Sequence, residues 1–263
     1  MASQILGQGS ELDLLYRPKE HATMRLADGT EAESIKNPIR YTRTAVFQPD
    51  PNLLRKNRIL TQVSEQKVVH AYKLLRTQVL QKLKANGWNS LAVMSCRSSQ
   101  GATITAINLA ISIALDPRFT VLLVDMNLRN PSIHRYFGIE PSVGISDVAA
   151  SQVPLEDVLL NPGLDGMLIL PGIERVAESS EMLNSERMIA LVNEIRAKYP
   201  TRIVVFDLPG ILDAEDAVAF LPYFDAGLLV LSEGKTRNDD LERAMELICD
   251  KPVLGSILND APA

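Results

Sequence analysis

The stretch Leu91–Thr105, LAVMSCRSSQGATIT, joins an apolar strand to a helix through a short polar turn. A strand, a turn of small residues and a helix in this order are the setting of a phosphate-binding loop, whose usual pattern ends in Gly-Lys-Ser/Thr. Gly101 and Thr103 fit that pattern, but Ala102 stands where the lysine is usual. The sequence therefore predicts a nucleotide-binding fold with an incomplete phosphate site.

Composition limits the classes of function. The chain has 263 residues and a formal net charge of −5, so it is a poor general binder of nucleic acid or anionic lipid, and no nucleic-acid partner is expected. Its two cysteines, Cys96 and Cys249, are interpreted as reduced thiols of a cytosolic protein. No apolar run reaches the ~18 residues of a membrane span and no secretory signal opens the chain. We expect a cytoplasmic protein that reaches any membrane through a partner.

The chain divides into two regions. Residues 1–62 lack sustained periodicity and contain four prolines, which predicts a flexible N-terminal arm. Residues 63–263 are predicted to form one P-loop NTPase-like domain. A helix is expected from Gln66 to Ala85, and apolar strands then alternate with helices, which is typical of an α/β fold with a mostly parallel sheet covered on both faces. The predicted strands are 91–95, 120–125, 167–171, 202–207, 226–232 and 252–258; the predicted helices are 103–115, 132–137, 180–198, 214–220 and 237–249.

Two further strands end in an aspartate. VLLVD ends at Asp125 and RIVVFD ends at Asp207. Ligands of an open parallel sheet bind at the carboxyl ends of its strands, so both carboxylates are expected near the loop. Thr103, Asp125 and Asp207 are predicted to hold Mg²⁺, and the two aspartates to be catalytic if the protein is active. The backbone of Ser98, Ser99, Gln100, Gly101, Ala102, Thr103 and Ile104 is predicted to bind the phosphates of ATP or ADP.

The segment VLLVDMNLRNPSIHRYFGIEPSVGISD, together with AYKLLRTQV, TAINLAISIA and SSEMLNSERM, resembles the bacterial tyrosine kinases, which belong to the MinD/ParA-like class of P-loop ATPases. The resemblance runs from about His70 to Asn259. It implies ATP and Mg²⁺ as ligands and places Asn259 at the adenine. It also implies a cytoplasmic role in exopolysaccharide or capsule assembly and export, beside an inner-membrane chain-length protein, as a homo-oligomer or with other kinase-family subunits.

Several residues depart from the family pattern. The family's Pro-Gly-Glu-Gly-Lys-Thr is Ser98–Thr103 here, its Asp-x-Asp is Asp125-Met126-Asn127, and its Asp-x-Pro-Pro ends in Gly210. The helical oligomerisation motif Glu-x-x-Arg-x-x-Arg is replaced by His70, Lys73 and Arg76, and no run of tyrosines follows the last strand. An alanine introduced at position 102 is an alternative explanation for that residue. Because motif residues are replaced at several positions, a natural loss of the site is favoured over an introduced alanine.

The missing lysine leaves three functions open. The leading hypothesis is a catalytically impaired regulator or scaffold of exopolysaccharide biosynthesis. The second is a working Mg-ATP-dependent tyrosine autokinase or ATPase with an unusual loop, in which Arg97 or Arg129 replaces the lysine; the alternative for Arg97 is a solvated loop charge. The third is a MinD/ParA-like positioning ATPase, which the lack of a strongly basic surface disfavours.

Overall fold

The computed structural model describes residues 44–61, 63–198 and 201–260. Its eight strands are β1 (Ala45–Val46), β2 (Ser90–Ser95), β3 (Thr120–Asp125), β4 (Leu160–Asn161), β5 (Met167–Leu170), β6 (Arg202–Asp207), β7 (Ala226–Ser232) and β8 (Val253–Asn259). They form one sheet in the order β1-β4-β5-β3-β6-β2-β7-β8. Every pairing is parallel except that of β4 with β5. The predicted α/β class and mostly parallel sheet are confirmed.

Ten α-helices occur in the described residues: α1 (Pro51–Lys56), α2 (Gln66–Asn86), α3 (Ala102–Ala114), α4 (Ile133–Phe137), α5 (Ile145–Ala149), α6 (Leu155–Val158), α7 (Ser179–Leu183), α8 (Glu186–Ala197), α9 (Asp216–Ala219) and α10 (Asn238–Leu247). The single helix predicted over 180–198 is two helices, because the Ser185 side chain accepts the N–H of Met188 and starts α8 anew. The helix predicted over 214–220 is confined to α9. None of the helices in the described ranges is long and apolar enough to cross a membrane.

The centre of the sheet is apolar on both faces, as a covered parallel sheet requires. Every residue of β2, β5 and β6 is buried. Helix α3 is almost entirely buried and packs against β2, β3 and β6, while α2 packs on α3. The side chain of Arg76, on α2, donates to the carbonyl of Ser112 at 2.8 Å. Arg76, at a position that the sequence resemblance assigns to an oligomerisation motif, therefore makes a contact within its own chain.

Part of the predicted arm belongs to the domain. In residues 44–61, β1 pairs with β4 and α1 contacts α4. The side chain of Asn57 donates to the carbonyl of Tyr136 at 2.8 Å, and the N–H of Leu60 donates to Asn108 at 2.8 Å. Residues 44–61 therefore pack with the domain, on the N-terminal side of the boundary predicted at residue 62. Residues 1–43 lie outside the described residues.

Candidate functional site

The loop between β2 and α3 turns through two left-handed residues. Ser99 has φ 63° and Gly101 has φ 95°. Glycine adopts this region without strain, whereas serine does so at a cost, so the loop keeps the glycine-type geometry at 99 with a residue that is poorly suited to it. Gly101 is followed directly by the first turn of α3, whose N–H groups have no acceptor within the helix. Such a turn is suited to an anion.

Asn259, at the end of β8, lies against this loop. Its side-chain amide donates to the carbonyl of Gln100 at 3.1 Å. A Cβ atom at Gly101 would lie 2.1 Å from Asn259 Nδ2, so a side chain at 101 would displace the end of Asn259 from the loop, in addition to the strain at φ 95°. The predicted role of Asn259 was a contact with adenine. In this structure its amide group is engaged by the loop backbone.

Ala102, Thr103 and Ile104 form the first turn of α3. Ala102 is 7% exposed, so the place of the usual lysine is occupied by a buried methyl group. Thr103 and Ile104 are half-buried. Burial raises the pKa of the Asp207 carboxyl, and the nearby Thr103 hydroxyl offsets part of that rise. The structure thus brings the predicted threonine and the second strand-end carboxylate together.

Asp125 and Asp207 are direct partners in the register of β3 and β6, and both are fully buried. Asp125 is well bonded: its Oδ2 accepts the N–H groups of Ser132 at 2.8 Å and Ile133 at 3.0 Å, and its Oδ1 accepts that of Asn127 at 3.3 Å. Neither carboxylate oxygen of Asp207 has a partner with good hydrogen-bond geometry within the described residues, and the Thr103 hydroxyl is the one side chain whose weaker interaction lowers its pKa. The two acids therefore differ: Asp125 organises the turn after β3, whereas Asp207 is an orphaned buried acid.

The electrostatics of this pair follow from its burial. Burial raises the pKa of Asp125 from 3.8 to about 7, against the lowering effect of its three N–H bonds. Burial raises the pKa of Asp207 as well, and the neighbouring Asp125 carboxylate raises it further. Two buried carboxylates side by side resist ionisation unless a cation neutralises them. The pair is therefore a place where a proton or a metal ion stabilises the protein.

The donor set fits Mg²⁺ bound together with a nucleotide. Mg²⁺ prefers oxygen ligands and usually takes one or two carboxylates, with water and substrate phosphates completing its shell. Asp207, Asp125 and the Thr103 hydroxyl offer such oxygens, and the two unpartnered oxygens of Asp207 are the observation that supports the fit. In the described part of the chain, no group of three or more His, Cys, Asp or Glu residues could hold a metal on its own. A tight all-protein site is therefore not expected.

Arg97, the first of the two candidate replacements for the lysine, is held by acids. Its Nε and Nη2 donate to the two carboxylate oxygens of Asp240 at 3.0 and 2.8 Å, and its Nη1 lies 3.7 Å from Asp213. The Asp240 carboxylate raises the pKa of the guanidinium further. Arg97 is therefore an ion-paired residue in this structure rather than the solvated charge that the sequence analysis gave as the alternative.

Arg129, the second candidate, is also paired. Its Nε donates to the buried Asp216 at 2.9 Å and its Nη2 to Glu215 at 2.7 Å, both at the start of α9. Asp216 accepts a further hydrogen bond from Ser179 at 2.5 Å. Neither candidate arginine offers a free guanidinium to a phosphate on the loop.

The acids that hold these arginines were not predicted from the sequence; they are Asp213, Glu215, Asp216 and Asp240. Their signal was weak: three lie in the short segment after β6 and one in the first turn of α10, where acidic residues are ordinary. Cys96 is fully buried, and His134 is buried with its pKa lowered by burial.

A parallel sheet with a phosphate-type loop after a central strand and two strand-end aspartates beside it defines a P-loop NTPase-type domain. No protein-family model matches the chain. It is 30% identical over 190 residues to the tyrosine-protein kinase YwqD of Bacillus subtilis, which covers 72% of this chain and 79% of that protein. The chain belongs to this family of bacterial tyrosine-protein kinases, and the resemblance found in the sequence is confirmed.

Two other relatives are much longer. The chain is 24% identical to the tyrosine-protein kinase ptk of Acinetobacter johnsonii over 89% of its own length, but it spans 33% of that protein. It is 26% identical over 78% of its length to the succinoglycan biosynthesis transport protein ExoP of Rhizobium meliloti, of which it spans 26%. Relatives thus include proteins named for exopolysaccharide transport as well as for kinase activity.

Solved structures agree on the fold. The kinase domain of the Escherichia coli tyrosine kinase ETK matches with a TM-score of 0.69 and 23% identity, covering 83% of this chain and 89% of that one. The septum site-determining protein MinD of Pyrococcus horikoshii, solved with Mg-ADP, matches with a TM-score of 0.55 and 21% identity, covering 65% and 69%. At these identities the likeness is one of fold alone.

Proposed function

We propose that this chain is a catalytically impaired member of the bacterial tyrosine-kinase family that regulates or scaffolds exopolysaccharide (capsule) biosynthesis, chain-length control and export. One observation carries the proposal: no cation is free to meet a phosphate at the three positions considered for it. Position 102 is a buried alanine, Arg97 is bonded to Asp240, and Arg129 is bonded to Glu215 and Asp216.

The expected loss is large for chemistry and moderate for binding. A charge-assisted hydrogen bond contributes about 1.5–3 kcal/mol, so its absence weakens nucleotide binding by roughly one to two orders of magnitude. Charge shifts along the phosphates in the transition state of phosphoryl transfer, so the rate suffers more than the affinity. ATP or ADP with Mg²⁺ remains the proposed ligand, bound weakly by the backbone of residues 98–104, Thr103 and the acid pair.

The proposed partner is an inner-membrane polysaccharide chain-length or co-polymerase protein, with a homo-oligomer or other kinase-family subunits as further assemblies. The names of relatives support this placement, since one of them is a succinoglycan biosynthesis transport protein. The chain would then be cytoplasmic and peripheral at the inner membrane through that partner. No nucleic-acid partner is proposed.

Calorimetric titration with Mg-ATP and Mg-ADP tests the impairment. We expect weak or no binding by this chain and a gain of about tenfold or more in Ala102→Lys. Micromolar binding by the unaltered chain would contradict the proposal. In cells, deletion of the gene should alter the amount or length of surface polysaccharide, and a Thr103→Val, Asp207→Asn double variant should restore it, provided that the variant is shown to fold.

A working autokinase or ATPase is the second candidate, because Thr103, Asp125 and Asp207 are all retained beside the loop. It requires the acid pair to hold Mg²⁺ during turnover. It predicts Mg²⁺-dependent release of phosphate from ATP that disappears in Asp207→Asn and persists in Asp239→Asn, where the acid is on the surface of α10. Absence of turnover in the unaltered chain would leave the regulatory function.

A further inference from the structure

The start of the loop is fastened to two acids from different elements. Asp213, in the segment after β6, accepts hydrogen bonds from both the N–H and the hydroxyl of Ser98 and also lies 3.7 Å from Arg97. Asp240, in the first turn of α10, takes both side-chain bonds of Arg97 and is buried despite its charge. These contacts join residues 115 and 143 positions apart in the chain.

The backbone of the loop at Arg97 is also held, by the Gln100 side chain and by the segment after β6. The N–H of Arg97 donates to the Gln100 side chain at 3.0 Å, and a Cβ atom at Gly210 would lie 2.7 Å from the carbonyl carbon of Arg97. Gly210, the residue that departs from the family's Asp-x-Pro-Pro, thus allows the segment after β6 to press against the loop. Asp213 follows three residues later and reaches Ser98.

We propose that Arg97, Ser98, Asp213 and Asp240 form an autoinhibitory latch, in which the protein's own carboxylates occupy the loop's binding groups until a nucleoside di- or triphosphate displaces them. The inference rests on the proposed loss of phosphate affinity at this loop and names a second cause of it. Carboxylates and phosphates are both anions that accept from backbone N–H groups and from guanidinium, so the two compete directly. They also repel one another, so a phosphate binds best after the acids have moved away.

The latch differs from the missing lysine in being reversible. Arg97 is paired at a half-exposed position, with 46% of its side chain accessible, so it can exchange acid partners without unfolding the domain. Opening of the latch would free the Arg97 guanidinium and the Ser98 N–H at the same time, so that both could bind a ligand of the loop. The loop would then bind a polyphosphate with the help of the Arg97 guanidinium, which is paired with acids in the closed structure.

Asp240→Asn tests the latch, and Asp239→Asn is its matched control. Both acids belong to the first turn of α10, but Asp239 is exposed and lies 3.9 Å from Arg237 rather than near the loop. We expect Asp240→Asn to bind Mg-ADP about tenfold more tightly by calorimetry, and Asp239→Asn to bind within twofold of the unaltered protein. Adding Arg97→Gln to Asp240→Asn should remove most of the gain.

Hydrogen exchange of the amides of residues 97–101, measured without nucleotide, is a second test of the latch. Asp240→Asn should exchange faster there than Asp239→Asn, with equal exchange in β5, which lies away from the latch. Asp213→Asn should give the same result from a different element, so a folding defect in one variant does not decide the outcome. Equal affinity and equal loop exchange in Asp240→Asn, Asp213→Asn and Asp239→Asn would overturn the latch.

The two proposals fail in different ways. A gain of affinity in Ala102→Lys without any gain or faster exchange in the two latch variants would support the impaired site and overturn the latch. Tight binding of Mg-ADP by the unaltered chain would contradict the impairment. In that case the latch would be supported only if Asp240→Asn bound Mg-ADP still more tightly than the unaltered chain, and equal affinity would overturn it.

Discussion

Replacing Asp125 by asparagine should stabilise the protein at pH 8 and destabilise it at pH 3. The substitution removes a buried charge beside Asp207 while it keeps the more important hydrogen bonds. The two shorter N–H bonds, from Ser132 and Ile133, both go to Oδ2, so one amide oxygen in that position accepts both. Only the 3.3 Å bond from Asn127 loses its acceptor.

The magnitude follows from proton linkage. The pKa of Asp125 is about 7 in the folded protein and near its ordinary 3.8 in the unfolded chain, because the native site is buried. Between these values the folded protein holds more protons, so its free energy of unfolding falls as the pH rises through this window. The full difference corresponds to about 4 kcal/mol at pH 8. Subtracting about 1 kcal/mol for the lost Asn127 contact leaves a net gain of about 3 kcal/mol.

Urea unfolding followed by the fluorescence of Trp88, the single tryptophan, measures this directly. The unaltered protein and Asp125→Asn are compared from pH 3 to pH 8 with a chelator present, so that metal ions do not neutralise the pair. At pH 3, below both pKa values of Asp125, the carboxyl is uncharged in the folded and the unfolded protein, so the variant should be less stable by about 1 kcal/mol. The two stability curves should therefore cross.

Asp125→Ala is the control for the hydrogen bonds. It removes the charge too, but it leaves three buried N–H groups without their acceptor, so we expect it to lie below Asp125→Asn at every pH. If Asp125→Asn were less stable than the unaltered protein by the same amount at both ends of the range, the buried charge would not be the source of the effect and the reasoning would be refuted.

Two other perturbations follow from the site. Mg²⁺ without nucleotide should raise the thermal midpoint of the unaltered protein at pH 8 and not at pH 4.5, because only the ionised pair attracts the ion. In Asp207→Asn the shift should vanish. An equal shift in both proteins would place the ion elsewhere. Gly101→Ala should cost about 1–3 kcal/mol in urea unfolding, since it combines φ 95° with a Cβ atom 2.1 Å from Asn259 Nδ2. Adding Asn259→Ala should recover part of that loss, and no recovery would leave φ as the sole cause.

The strands were predictable from the sequence because the sheet is covered. RIVVFD is a short, nearly continuous apolar run bounded by polar residues, and its predicted limits coincide with those of β6. The aspartates at strand ends were predictable as neighbours for a related reason: parallel strands place their carboxyl ends on one edge, and Asp125 and Asp207 are register partners.

Other features depend on contacts that no local pattern encodes. Strands β1 and β4 have two residues each, too few to show alternation, and β1 lies in the region interpreted as a flexible arm. The break between α7 and α8 rests on the capping geometry of Ser185 within an otherwise helical pattern. The acids that hold Arg97 come from distant parts of the chain, so their pairing appears only once the sheet has assembled.

The position of β2 in the sheet affects how the chain is synthesised and folds. This strand, which leads into the phosphate-type loop, lies between β6 and β7, and Ser90 at its start bonds to Asp225, 135 residues later. Such non-local pairing slows folding, and a ribosome must extend the chain past β6 before either edge of β2 is covered and past β7 before both edges are. Until then β2 and β3 are apolar strands with open edges, a form prone to association with other chains. Translation that stalls between β3 and β6 should therefore yield aggregates rather than a partly active domain.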